Sequence, residues 1–244
     1  ATPGALYLLA TVGTITATFG AIVMLAQPAV KRSLAFSTIA QMGFMMIQCG
    51  LGAWGLALLH LVAHSLYKAH AFLRAGSAVT ATPRAAIPLR TSALVIGLLV
   101  ATTFVGLATW VAHPFIPSEA KASSAFLVIL TFAIAYLISR VWSGHSRSLP
   151  LAIIGAAAIT VVATTLHMLA VDLLPLTPAP PTPLWLLSFI IFAFTFLFFF
   201  QALLWRASAH PLGRHLYVHA LNGFYIGPIA NRLLNSLWPS QPRS

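Results

Sequence analysis

Apolar residues run through this chain in long unbroken stretches, separated by short polar links that carry the prolines. A helix that crosses a bilayer needs about 20 mostly apolar residues. Stretches of that kind lie at roughly 4–26, 33–51, 55–79, 92–112, 123–142, 149–172 and 184–204. Gln27-Pro28 ends the first, because proline lacks an N–H and its ring clashes with a continuing helix. Pro83 and Pro88 flank the third link and Pro114 and Pro117 the fourth, while Pro175, Pro178, Pro180, Pro181 and Pro183 make the sixth an extended connection. Every backbone polar group in hydrocarbon needs an internal partner, which continuous helices supply. Barrel strands would be shorter and would alternate apolar with polar positions, and these runs do neither. The expected fold is therefore all-α: a polytopic membrane protein of about seven transmembrane helices. Residues 1–204 form its bundle, and residues 205–244, too polar to span, form an amphipathic cytoplasmic or interfacial tail.

Composition agrees with lipid as the main solvent. Hydrophobic residues make up 59% of the 244 positions and charged ones 6%, against roughly a quarter charged in a soluble domain. The two acids, Glu119 and Asp172, are too few to solvate a globular surface. A net charge of +11 raises the question of nucleic acid, but that partner needs a basic, water-exposed face. Here the basic residues punctuate the apolar runs, so no nucleic-acid partner is expected. Lys31 and Arg32 follow the first run, and Arg74, Arg84 and Arg90 the third. Arg140 and Arg147 bracket the link after the fifth, and Arg206, Arg214, Arg232 and Arg243 lie in the tail. The links after the second and sixth runs have no basic residue, and the link after the fourth has one, Lys121, beside Glu119. This alternation predicts a start outside the membrane and a tail in the cytoplasm. Cys49 is the single cysteine, so no intrachain disulfide can form.

Candidate chemistry concentrates in the third run, GLALLHLVAHSLYKAHAFLRAGSAV. His60, His64 and Lys68 recur every four residues, so on a helix they form one stripe with neighbours about 6 Å apart along the axis. Lys68 falls near the middle of this run, where a lysine is expensive and faces the bundle interior or a wet cavity. Low-dielectric burial favours a neutral amine, and histidine changes charge near neutrality, so the three groups suit a proton relay. The alternatives are polar contacts that merely hold helices together, or metal or haem ligation. HxxxH here lacks the Glu of HExxH, and His167 would be a distant second haem ligand. His70 falls on another face, and Arg74 is near enough to the helix end to snorkel. In the second run, Ser37, Gln41 and Gln48 make a stripe of neutral polar groups bordered by Thr38; such groups position water or bond across helices. Asp172 is expected at a solvated helix end. No nucleophile elbow, phosphate loop or dinucleotide fingerprint is present, so the chain is not expected to be an enzyme by itself. In the tail, Trp205, Leu212, Leu216, Tyr217, Leu221, Phe224 and Tyr225 alternate with histidines and arginines, as in a helix lying on a membrane or docking a soluble partner.

The run KRSLAFSTIAQMGFMM (31–46) followed by LLHLVAHSLYKAHAFLRAGS (58–77) resembles the proton-translocating antiporter-like subunits of respiratory complex I. Multisubunit cation/proton antiporters and membrane hydrogenases share the pattern K-R-x-x-A-x-S-T-x-x-Q-x-G, then H-x-x-x-H-x-x-x-K on the next helix. The resemblance implies a fold of about fourteen helices in two inverted repeats, with this chain holding the second repeat and the missing first half a possible partner. It also implies a central hydrophilic axis through Lys68, His64 and His60, with Ser37 and Gln41 positioning water. That family carries a further lysine on the following helix, whereas residues 92–112 hold no ionisable side chain.

The tail sequence LYVHALNGFYIGPIANRL (216–233) resembles the end of the membrane subunit of DAB inorganic-carbon accumulation complexes. This implies a bacterial cytoplasmic (inner) membrane location and a soluble zinc-dependent partner similar to β-carbonic anhydrases. Arg214, His215, Tyr217, His219, Asn222, Phe224 and Tyr225 would dock that partner. Inward cation flow, of protons, would energise one-way hydration of CO2 to bicarbonate, with no cofactor in this chain and membrane lipid around it. The alternatives are a subunit of a proton-pumping NADH dehydrogenase, Mrp antiporter or hydrogenase complex, and a passive membrane anchor for a soluble enzyme.

Overall fold

The computed structural model describes residues 2–76, 91–112, 114, 123–144, 149–173, 181–206 and 211–237. Helices dominate them: α1 (Pro3–Ala26), α2 (Val30–Gly50), α3 (Trp54–Arg74), α4 (Thr91–Ala112), α5 (Ser123–Gly144), α6 (Leu149–Leu173), α7 (Leu184–Arg206), α8 (Pro211–Leu221) and α9 (Ile226–Leu237). The first seven follow the seven apolar runs to within a few residues, apart from the end of α3. That helix stops at Arg74, where a terminal cation suits the negative end of the dipole; residues 77–79 of the expected run lie outside the described residues. Of the charged, histidine and tail aromatic or leucine residues singled out above, Arg84, Arg90, Glu119, Lys121, Arg147 and Arg243 also lie outside them, as do the side chains of His167, Asp172, Trp205, Arg206 and Leu212.

Among the described residues, α1, α4, α5 and α7 each hold a stretch long and apolar enough to cross a membrane, and α6 holds a shorter one. The helices α2 and α3 are also 21 residues long but carry the polar groups of the candidate site. Leucines and phenylalanines point outward in quantity, with Leu8, Leu99, Leu151, Phe192 and Phe199 all exposed. That distribution fits a surrounding of acyl chains. The protein is an all-α, polytopic membrane protein.

Small residues let the backbones meet. A Cβ added at Gly43 of α2 would lie 2.5 Å from the Ala17 nitrogen and 2.8 Å from the Gly13 oxygen of α1. One added at Gly20 would lie 2.6 Å from the Ala40 nitrogen. Backbone atoms cannot yield as a flexible side-chain tip can, so α1 and α2 are notched into each other as a rigid pair. Gly43→Ala is expected to lower the stability of the bundle by about 1–3 kcal/mol, the usual cost of overpacking. Thermal unfolding in detergent reads this, and an unchanged melting temperature would refute the close approach.

Three apolar clusters complete the core. Ala10, Ala17, Ile47, Leu51, Ala125, Leu186 and Ile190 join α1, α2, α5 and α7. Ala101, Val105, Ile134, Ala135, Ile138, Ala156 and Phe198 join α4 to α7. Ile22, Ala26, Phe200 and Ala220 fasten α8 across the ends of α1 and α7. Beyond α8, a short 3-10 turn (Gly223–Tyr225) has all three residues at positive φ, 60°, 50° and 58°. It leads into α9, whose Ile226, Ile229, Leu233, Leu234 and Leu237 are exposed.

Candidate functional site

Burial along α3 runs against hydropathy. Lys68 is 6% exposed and His64 9%, whereas Leu66 is 70% and Leu73 86% exposed. A helix in water hides its leucines; a helix in lipid turns them outward and keeps ionisable groups against its neighbours. The stripe predicted from the spacing of four is thus the inward face of α3. His70 and Arg74 lie on exposed parts of the helix.

The turn between α2 and α3 sets which residues meet. Gly52 sits at φ 74°, a left-handed conformation that glycine adopts without strain. The Ala53 N–H donates to the Gln48 carbonyl and the Gly52 N–H to that of Cys49, the paired bonds of a Schellman helix end. The chain reverses within three residues, so α3 returns along α2. This hairpin brings the polar stripe of α2 onto the charged stripe of α3.

His60 is held at both ring nitrogens. Its Nε2 lies 2.7 Å from Oε1 of Gln41, and its Nδ1 lies 3.0 Å from Oε1 of Gln48. A neutral imidazole donates at one nitrogen and accepts at the other, and an imidazolium donates at both. Because a glutamine amide can present either its oxygen or its NH2, the two glutamines can match either form by rotating. Both ring nitrogens are engaged by side chains of α2. His60 and His64 follow at 6.1 Å between ring centroids. Nε2 of His64 is buried and has no hydrogen-bond partner among the described residues. One turn further, the Lys68 ammonium Nζ donates to the Leu34 carbonyl of α2 at 2.9 Å. The Thr38 hydroxyl donates to that same oxygen at 3.1 Å.

Placement along the helix differs from the expectation of a mid-span lysine. Since α3 ends at Arg74, its midpoint is His64, and Lys68 lies about 9 Å from the Arg74 end. Ser37 is half-buried on α2 and makes no side-chain hydrogen bond among the described residues, so the structure does not join it to the stripe. Gln48, Thr38 and the Leu34 carbonyl do join it. Gln48 was visible as part of the polar stripe on α2; a main-chain carbonyl leaves no mark in a sequence.

Beside His60, a cavity of about 400 Å³ opens between α2, α3, α4, α5 and α6. Its polar edge is Gln41, Gln48, His60, Thr109 and Thr164, and Phe44 and Phe126 stand on its apolar wall. At the end of the bundle bearing Lys31 and Arg32, the surface of α8 exposes Arg214, His215, Tyr217 and His219. Asn222, whose amide donates to the Val218 carbonyl, and Tyr225, packed edge-on to His219, are exposed there too. Phe224 turns inward and packs on Phe19 of α1.

Residues 1–87 match the family described as NADH:quinone oxidoreductase/Mrp antiporter, transmembrane. The chain is 37% identical over 97% of its length to a probable inorganic carbon transporter subunit, DabB2, of Halothiobacillus neapolitanus. It is 32% identical over 96% of its length to a probable inorganic carbon transporter subunit DabB of Hydrogenovibrio crunogenus. It covers 45% of each of these proteins, so it spans about half the length of the curated relatives it matches. Over 78 residues it is 45% identical to NADH-quinone oxidoreductase subunit L of Buchnera aphidicola, covering 32% of this chain and 13% of that protein. The matched first segment holds α1, α2 and α3 with the His60–His64–Lys68 stripe, so the part of the chain that is similar to the NADH:quinone oxidoreductase/Mrp antiporter transmembrane family is the part that builds the site.

Proposed function

We propose that the chain is part of a proton-translocating membrane subunit that energises inorganic carbon accumulation. Lys68 is the central relay, and His64 and His60 pass protons along the inward face of α3. Gln41 and Gln48 orient His60, and Gln41 helps order water where the stripe meets the cavity. The exposed residues of α8 dock a soluble zinc-dependent subunit similar to β-carbonic anhydrases, which holds the metal and hydrates CO2 to bicarbonate. The protein lies in the bacterial cytoplasmic membrane with its tail inside, as the basic residues around Lys31, Arg32 and Arg214 favour. The observation that carries the relay is a lysine 6% exposed on one helical face with two histidines, an arrangement that packing alone does not require. The full-length names of the DabB relatives support inorganic carbon as the purpose.

Growth of a carbonic-anhydrase-deficient bacterium in ordinary air tests this reading. The host expresses the complete subunit with its soluble partner, as wild type and as Lys68→Ala, with assembly checked by copurification. Rescue by wild type alone, with the variant complex still assembled, is expected. Equal rescue by both would remove the relay and leave a passive anchor. Failure of both despite assembly would favour a respiratory or cation/proton antiporter subunit, the reading that the similarity to subunit L supports.

A further inference from the structure

We propose that the left-handed turn of the tail positions the α2 carbonyl that holds Lys68, so that the cytoplasmic docking surface and the proton relay are mechanically joined. The proposal rests on the relay reading above for its functional meaning and on contacts within the chain for its geometry.

The tail is fixed to α1 and its C-cap by one hydrogen bond and by a ring contact at the margin of its apolar cluster. The buried Gln27 side chain donates from Nε2 to the Leu221 carbonyl at 3.0 Å, satisfying the last carbonyl of α8 that has no helical partner of its own. Phe224 then packs on Phe19 with ring centroids 6.3 Å apart. To reach Phe19 it adopts φ 50°, and Tyr225 follows at φ 58°. Non-glycine residues rarely hold this conformation unless surrounding contacts over-determine it. The turn is therefore held against α1 rather than merely resting there.

From Phe19 the contacts continue into the site. Phe19 packs edge-on against Phe36 of α2, with centroids 6.3 Å apart. The next residue of α1, Gly20, is so close that an added Cβ would meet the Phe36 carbonyl at 3.1 Å. Phe36 lies two residues beyond Leu34, whose carbonyl accepts from Lys68 at 2.9 Å. Phe36 and Leu34 lie within one turn of the same regular helix, so a rigid shift of α2 at Phe36 carries the Leu34 carbonyl with it. A displacement of a few tenths of an ångström moves a 2.9 Å bond appreciably toward its limit. Phe224, Phe19 and Phe36 are thus positioning residues for Lys68, and a partner that grips or releases the tail acts on the lysine through them.

The test uses the complete subunit labelled with 15N at lysine Nζ, the Lys68 resonance being the one lost in Lys68→Arg. Phe224→Asn removes the ring while keeping a residue that tolerates the left-handed conformation. It is expected to move the Lys68 resonance and to reduce proton flux about tenfold, within the range of side chains that act by coupling. Phe19→Leu, which leaves the tail's backbone untouched, should move the same resonance, and Leu237→Ala on the exposed face of α9 should not. A Lys68 resonance unmoved by both Phe224→Asn and Phe19→Leu would overturn the proposal. A moved resonance in a protein whose flux survives Lys68→Ala would uphold the contact chain and remove the relay, so the two failures are told apart.

Discussion

Lys68→Met is expected to abolish proton translocation while leaving the protein as stable as before, or more stable. On the proposed relay the lysine serves function rather than folding, so the two effects separate. Its ammonium is almost fully buried and, among the described residues, makes one hydrogen bond, to the Leu34 carbonyl. Methionine keeps the unbranched shape and removes a buried charge whose desolvation that single bond only partly offsets. The carbonyl left behind still accepts from Thr38, so no orphan acceptor results. A gain of about 1–3 kcal/mol is in line with apolar replacement of buried charged groups. Proton flux in reconstituted vesicles should fall at least about a hundredfold, since a thioether cannot carry a proton. Thermal unfolding measured beside flux decides the matter. A variant that loses stability together with flux would make Lys68 a helix-holding contact instead.

The second large effect is expected at His60. Gln41→Leu or Gln48→Leu leaves one ring nitrogen without its amide partner in a half-buried site. An unsatisfied buried polar group costs about 1–3 kcal/mol, so each variant should unfold earlier. Each should also carry protons about tenfold more slowly, because the ring loses the partner that orients it and accommodates both of its protonation forms. The double variant Gln41→Leu/Gln48→Leu should lose more than either alone. Asparagine at either position, one methylene shorter, should restore less than glutamine because it falls short of the ring. Flux that ignores both glutamines would mean that protons pass His60 by another route.

Much of this was legible in the sequence because a membrane imposes few options. Runs of the right length predicted α1, α2 and α4 to α7 closely, since hydrocarbon forbids an unpaired backbone. The spacing of four residues predicted that His60, His64 and Lys68 share a face, and helix geometry guarantees it. The bounds of α3 were harder to read: Ala75 to Val79 are as apolar as the helix before them, so hydropathy gives no stop, and Lys68 looked more central than it is. Partners across helices were harder still. Ser37 and Gln41 share one stripe on α2, yet only Gln41 meets His60, because the register of the hairpin depends on the Gly52 turn. The role of Leu34 belongs to its backbone and is invisible in the letter L. Phe224 read as one more exposed aromatic of the tail; a left-handed φ, which sequence gives little reason to assign to phenylalanine, turns it inward.

The notched contact between α1 and α2 has a consequence for how the chain enters the membrane. The helices α2 and α3 are not apolar enough to partition strongly on their own, and a lysine placed within a span opposes insertion. Glycine seats at Gly13, Gly20 and Gly43 offer α2 a protein surface as soon as α1 is in place, and the Gly52 turn delivers α3 onto α2. Insertion is then expected to proceed as a three-helix unit in which α1 acts as the template. Damage at a glycine seat should be visible during biogenesis, as inverted or untranslocated chains removed by proteolysis, before any loss appears in the mature protein.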